Sequence, residues 1–234
     1  MSSIYKKVGL ASLIMMTSVF LSRLTGLIRE QVIAYIGGIS GGVDAYQVAF
    51  IIPEILNHIV ASGFLSVTFI PIFSHYLVRD KEAEGWRVFS LILTGFGSLL
   101  LLLITIACVF ARSFVEIFAP GLDDPVLIEH AIRMTRIIIP AQFFFFSGGM
   151  FMAVQFAREK FFIPALSPLL YNLGIICGGV LLGSRLGMEG FSWGVLGGAF
   201  IGNFMVQIWG AKKVGMRFTI NFDFKHPDLW LYIR

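Results

Sequence analysis

Charge is scarce in this chain: Lys, Arg, Asp and Glu together make up 14% of its 234 residues, where a soluble domain carries about 25%. An ordinary water-facing surface is therefore excluded for most of the sequence. Cysteine is scarce too. Cys108 and Cys177 lie in apolar stretches without a partner at a metal-ligand or redox spacing, so they read as packing residues. Catalytic signatures are absent: no H-E-x-x-H, Gly-rich phosphate loop, nucleophile elbow or Cys/His cluster occurs, and neither an enzyme nor a bound cofactor or metal is expected.

What the chain has instead is apolar sequence, 57% of all residues with a mean hydropathy of +0.84. It comes in long runs separated by short charged clusters, the pattern of repeated bilayer crossing. The expected fold is all-α and polytopic, a six-helix transmembrane lobe over 1–217 with spans at about 8–36, 44–76, 87–111, 129–156, 163–184 and 190–211. Lys6 and Lys7 before the apolar run 8–21 resemble a signal peptide, but no small-residue cleavage site follows, and Arg23 and Arg29 come instead. The run reads as a retained first helix.

The net charge of +4 and pI near 9.2 do not point to nucleic acid, because the cations flank apolar runs. Ten of them, Lys6, Lys7, Arg79, Lys81, Arg87, Arg158, Lys160, Lys212, Lys213 and Arg217, fall on one side of the six crossings; Arg112 and Arg185 fall on the other, with Arg133 and Arg136 close by. The imbalance places both termini in the cytoplasm. Arg133 and Arg136 are expected to snorkel to headgroups, His75 and His130 to be interfacial, and the aromatic run 143–146 to pack or to meet lipid. Pro53 and Pro140 remove backbone donors inside the second and fourth spans and should bend or break them. Gly178-Gly179, Gly194, Gly197-Gly198 and Gly202 allow close helix contact. The segment 218–234 reads as a cytoplasmic tail in which Pro227 and the apolar residues after it approach a further helix.

Two stretches carry charges that a bilayer should not tolerate. The charge-free run 8–22 holds 15 residues, against about 20 needed to cross, so the first helix must carry Arg23, and Arg29 with Glu30 at least at the membrane edge. Arg23, Gly26 and Glu30 share one stripe, with Arg29 about 120° around from Arg23. An arginine at mid-bilayer costs at least about 2.5 kcal/mol, so it faces a wet cavity or a partner, and Gly26 would leave the backbone beside it open to a ligand. On the second span Asp44, Gln47, Glu54, His58 and Ser62 lie within roughly 80° of one another if the helix runs through Pro53. Two readings remain open: buried ion pairs such as Arg29 with Asp44 or Arg23 with Glu54, or a hydrophilic cavity that takes an anionic group through guanidinium.

The segment Ser22-Arg23-Leu24-Thr25-Gly26-Leu27-Ile28-Arg29-Glu30, followed by Asp44-Ala45-Tyr46-Gln47-Val48-Ala49-Phe50 and Pro53, resembles the opening of the MurJ (MviN) lipid II flippases. Further matches are Phe69-x-Pro71, Ala119-Pro120-Gly121, Ile163-Pro164-Ala165-x-x-Pro168-x-x-x-Asn172, and Trp193-Gly194 leading to Lys213-x-Gly215. The resemblance implies the fold of the multidrug/oligosaccharidyl-lipid/polysaccharide exporter superfamily, with two six-helix lobes around a central cavity. It implies transport of undecaprenyl-pyrophosphate-linked disaccharide-pentapeptide across the bacterial inner membrane by alternating access. It also places Arg23, Arg29, Glu30 and Asp44 at cavity or functionally sensitive positions and calls for a second, C-terminal lobe as partner. One departure is Asn57-His58, with Ala61-Ser62-Gly63, where many members have a basic pair and A-E-G. One or two expected cations are thereby replaced by a neutral amide and a titratable ring. Another prenyl-pyrophosphate-linked glycan as cargo, or a non-transporting membrane subunit or degenerate half-gene, are the alternatives.

Overall fold

The computed structural model describes residues 2–39, 41–60 and 69–222. Ser62, Gly63 and the Pro227 region lie outside these. Among the described residues the chain is helical, with no strand. The helices are α1 (Ser2–Gly37), α2 (Gly41–Val48), α3 (Ile51–Val60), α4 (Ile70–Val78), α5 (Glu82–Val109), α6 (Ala111–Phe118), α7 (Pro125–Ile138), α8 (Ala141–Ala157), α9 (Phe162–Leu186), α10 (Glu189–Gly198) and α11 (Val206–Lys213). A π-helical turn, Ala199–Met205, joins the last two.

Five stretches of the described residues are long and apolar enough to cross a bilayer: Val8–Gly37, Glu82–Val109, Pro125–Ala157, Phe162–Leu186 and Glu189–Lys213. This is a multi-pass membrane protein. The expected second span is not one continuous helix. The backbone leaves helical form at Ala49 and Phe50, because Pro53 has no N–H to bond the Ala49 carbonyl. At Pro140 the break is milder, since Ile139 and Pro140 keep right-handed helical angles. There Gln142 and Phe143 N–H groups bond three residues back to the Ile139 and Pro140 carbonyls, a tightened turn between α7 and α8.

The last span is interrupted as well, a feature that periodicity alone does not predict. In the π turn the Val206 N–H reaches five residues back to the Ile201 carbonyl. Such a turn leaves carbonyls to be satisfied elsewhere, and Gln207 does so: its Nε2 donates to Gly202 O at 3.2 Å and to Ile163 O at 3.1 Å, while its Oε1 accepts from Gln155 Nε2 at 3.1 Å. The bulge also pushes the Asn203 carbonyl into the notch at Gly148, where a Cβ would stand 1.9 Å from that oxygen.

α9 is the hub. On one side it meets α10 through paired glycines: a Cβ at Gly178 would lie 2.4 Å from Gly194 Cα, and one at Gly174 equally close to Gly198 Cα. Gly197 differs from the sequence expectation, having open space where its Cβ would be. On the other side α9 meets α1 along a polar seam. Ser18 Oγ donates to Ala165 O, Asn172 Nδ2 donates to Ser22 O and Thr25 Oγ1, and Arg29 donates to Asn172. Positions 18, 22, 25 and 29 repeat every three to four residues and so share one face of α1. The other faces of α1 carry exposed Leu13, Met16, Phe20, Leu24 and Leu27, as lipid-facing positions should.

Ion pairs mark the two ends of the bundle. At one end Glu82 pairs with Arg158 and accepts from Trp86 Nε1 at 3.0 Å. At the other, Arg112 pairs with Glu129 at 2.6 Å, His130 meets Glu189 at 3.2 Å and Arg133 lies 3.9 Å from both glutamates. Arg133 is thus an ion-pair residue, and Arg136 donates to the Cys108 carbonyl at 3.1 Å. Residues 218–222, the start of the segment expected as a cytoplasmic tail, run along α5, with the Thr219 and Asn221 N–H groups donating to Ser90 Oγ and Thr94 Oγ1. Alternate residues of an extended chain advance about 6.8 Å and four helical residues about 6 Å, so the two registers match.

Candidate substrate cavity

An open cavity of ≈ 630 Å³ lies between α1, the α2–α3 pair, the α7–α8 break and α9. Each wall follows from a local feature already described. α1 contributes Arg29 and Glu30; the interrupted second span contributes Tyr46, Gln47, Phe50, Pro53, Glu54 and Asn57. The first turns of α8, after the tightened turn at Pro140, contribute Gln142 and Phe145, and α9 adds Tyr171. The rings pack edge to face at the rim of this space: Tyr46 on Phe50 with centroids 5.1 Å apart, and Phe145 on Tyr171 at the same distance.

Arg29 is the cation of this wall among the described residues, with Glu30 and Glu54 as its acids. Its side chain is 28% exposed, open to the cavity and held by two neighbours. Glu30 Oε1 accepts from both Nε, at 3.1 Å, and Nη2, and Asn172 Oδ1 accepts from Nη1 at 3.1 Å. Such a group can take an anion through its remaining donors, bidentately if the anion is a phosphate.

Of the residues singled out in the sequence, Arg29, Glu30 and Asn57 line the cavity, together with Gln47 and Glu54 from the second stripe. Four do not. Arg23 is exposed, six residues and about 9 Å along α1 from Arg29. Gly26 does not open the backbone to a ligand: it faces α9, where a Cβ would lie 3.9 Å from Asn172 Nδ2 in ordinary contact. Asp44 is exposed on the first turn of α2, and His58 is exposed on α3, both outside the lining. The alternative pairings also fail. Arg29 pairs with its neighbour Glu30 rather than with Asp44, and Arg23 makes no ion pair among the described residues. Tyr46, Gln142, Phe145 and Tyr171 were not legible as cavity residues, since buried aromatics and amides in an apolar run read as packing.

The family model for the lipid II flippase MurJ matches residues 33–232. The chain belongs to this family. Among MurJ relatives, the probable lipid II flippase MurJ of Thermotoga maritima is 32% identical over 177 residues, which are 76% of this chain and 37% of that protein. The lipid II flippase MurJ of Burkholderia cenocepacia is 32% identical over 199 residues, 84% of this chain and 38% of its own. The chain thus spans under two fifths of the length of these two relatives. A solved structure of lipid II flippase MurJ in an inward closed conformation superposes with a TM-score of 0.75 at 24% identity, over 94% of this chain and 46% of that one. The MurJ fold is therefore present here.

Proposed function

We propose that this chain forms a substrate-binding lobe of a flippase that carries lipid II from the inner to the outer leaflet of the bacterial inner membrane by alternating access, in the service of peptidoglycan synthesis. It moves its cargo without making or breaking covalent bonds, as a transporter and not an enzyme. The observation that carries this reading is Arg29, a guanidinium anchored on the wall of a membrane cavity with donors to spare. A pyrophosphate-linked lipid offers the anion that such a fork recognises, and the named function of the MurJ relatives narrows the lipid.

The described wall sets one arginine against two glutamates, so a doubly charged pyrophosphate requires further cations from across the cavity. We assign these to a second lobe, on the same or another polypeptide, which also covers the exposed Arg23. A different prenyl-pyrophosphate-linked glycan is the second reading, favoured by the neutral Asn57 in the wall and by His58 outside it; competition between lipid-linked pyrophosphates separates the two.

The test is complementation of a flippase-depleted strain in the full-length context. Arg29→Ala is expected to abolish growth with normal protein levels in the membrane, and Arg29→Lys to restore it only in part, because lysine keeps the charge and loses the fork. Full complementation by Arg29→Ala would sink the reading.

A further inference from the structure

Asn172 lies in the middle of α9, 7% exposed, and borders the cavity without lining it. Its amide reaches in two directions. Nδ2 stands 3.1 Å from the Ser22 carbonyl oxygen and 3.3 Å from Thr25 Oγ1, and Oδ1 accepts from Arg29 Nη1 at 3.1 Å. The amide has one sensible orientation. A backbone carbonyl only accepts, so the NH2 end must face Ser22; guanidinium only donates, so the oxygen must face Arg29.

The opposite edge of the guanidinium belongs to Glu30, through Nε and Nη2. Arginine has five N–H donors. These contacts engage three and leave one on Nη1 and one on Nη2, the terminal pair with which an arginine meets two oxygens of a phosphate. Glu30 is the next residue on the same helix and moves with Arg29. Asn172 is the contact that refers the guanidinium to a second helix.

We propose that Asn172 is the positioning residue of the anion site: anchored on α1 by Ser22 and Thr25, it holds Arg29 so that its free terminal donors are presented to a pyrophosphate as a fork. The inference rests on the reading of the cavity as a pyrophosphate site. Asn172 touches no anion itself and acts through Arg29. Its worth therefore depends on the arginine being an arginine.

The test is a double-mutant cycle on the purified full-length protein, with the second lobe in place, in detergent, with inorganic pyrophosphate as probe and calorimetry as readout. Asn172→Leu keeps the volume and removes both ends of the amide. In the wild-type background it is expected to weaken pyrophosphate binding about tenfold, the scale of a lost hydrogen bond to a charged group. In the Arg29→Lys background the loss should be less than about twofold, because an ammonium has no fork to aim. Asn172→Ala, which packs differently, is carried through the same cycle so that poor insertion of one variant does not decide the matter. Equal losses in both backgrounds would mean that Asn172 merely holds α1 on α9, and would overturn the inference while leaving the cavity reading intact. A folded wild-type chain that binds no pyrophosphate would overturn the cavity reading and this inference with it.

Discussion

A methyl group at Gly178 would stand 2.4 Å from the Gly194 Cα and 2.6 Å from the Gly190 carbonyl oxygen, and neither backbone can retreat without parting α9 from α10. Overpacking of this kind costs about 1–3 kcal/mol. Gly178→Ala should therefore lower the temperature at which the protein loses its monodisperse state in detergent. Gly26→Ala has 3.9 Å to its nearest neighbour and Gly197→Ala has open space, and in a helix alanine is favoured over glycine by up to about 1 kcal/mol; both should leave that temperature unchanged or raise it. A Gly178→Ala protein as stable as the wild type would show that the two helices are not in backbone contact. The same contrast shows what was legible at single residues. Arg29 and Glu30 stand out because charge in an apolar run needs a reason, whereas Gly26, between Arg23 and Arg29, reads equally as a ligand gap or as a packing surface. Only the position of Asn172, 146 residues further along in sequence, decides between them.

At the scale of elements, the side chain of Gln207 closes the π turn by bonding Ile163 O, Gly202 O and Gln155. A single interhelical hydrogen bond in a membrane averages about 0.6 kcal/mol, but Gln207→Leu strands several buried groups at once and should cost about 1–3 kcal/mol. The double variant Gln155→Leu, Gln207→Leu should cost less than the sum of the two single changes, since each removes a partner that the other has already left unsatisfied. Unfolding in mixed micelles measures this; strict additivity would mean that the two amides do not share a network. Element by element, the apolar runs reveal the crossings and the prolines reveal where two of them break. The register beyond a break is not legible. Asp44, Gln47 and Glu54 share a stripe only in an unbroken helix; across the turn at Ala49 and Phe50, Gln47 and Glu54 meet the cavity, while Asp44, one turn before Gln47 on α2, stays outside its lining. The π turn leaves no mark in the hydropathy pattern because it inserts no polar residue into the lipid-facing surface beyond those needed to close it.

For the whole molecule, the loop charges carry a prediction about sidedness. Single cysteines at positions 81, 160 and 213 should be shielded from an impermeant reagent in intact cells, and cysteines at 123 and 189 should be labelled; labelling at 81 would reverse the orientation. The structure groups these positions at opposite ends of the bundle, with Glu82 bound to Arg158 at one end and His130 to Glu189 at the other, so the five labels must divide as a set. The polar seam between α1 and α9 bears on how such a protein is made. The partners of Ser18, Ser22, Thr25 and Arg29 lie 143 to 150 residues downstream. At a ribosomal pace of about 5–20 residues per second, that separation is a wait of about 7–30 s. During it α1 has left the ribosome without the contacts that α9 supplies to Ser18, Ser22, Thr25 and Arg29 Nη1, with Glu30 as the partner Arg29 already has. A helix in that condition is a poor candidate for immediate release into lipid, so α1 is expected to linger beside the insertion machinery until α9 arrives, and the order of synthesis becomes part of how the cavity is assembled.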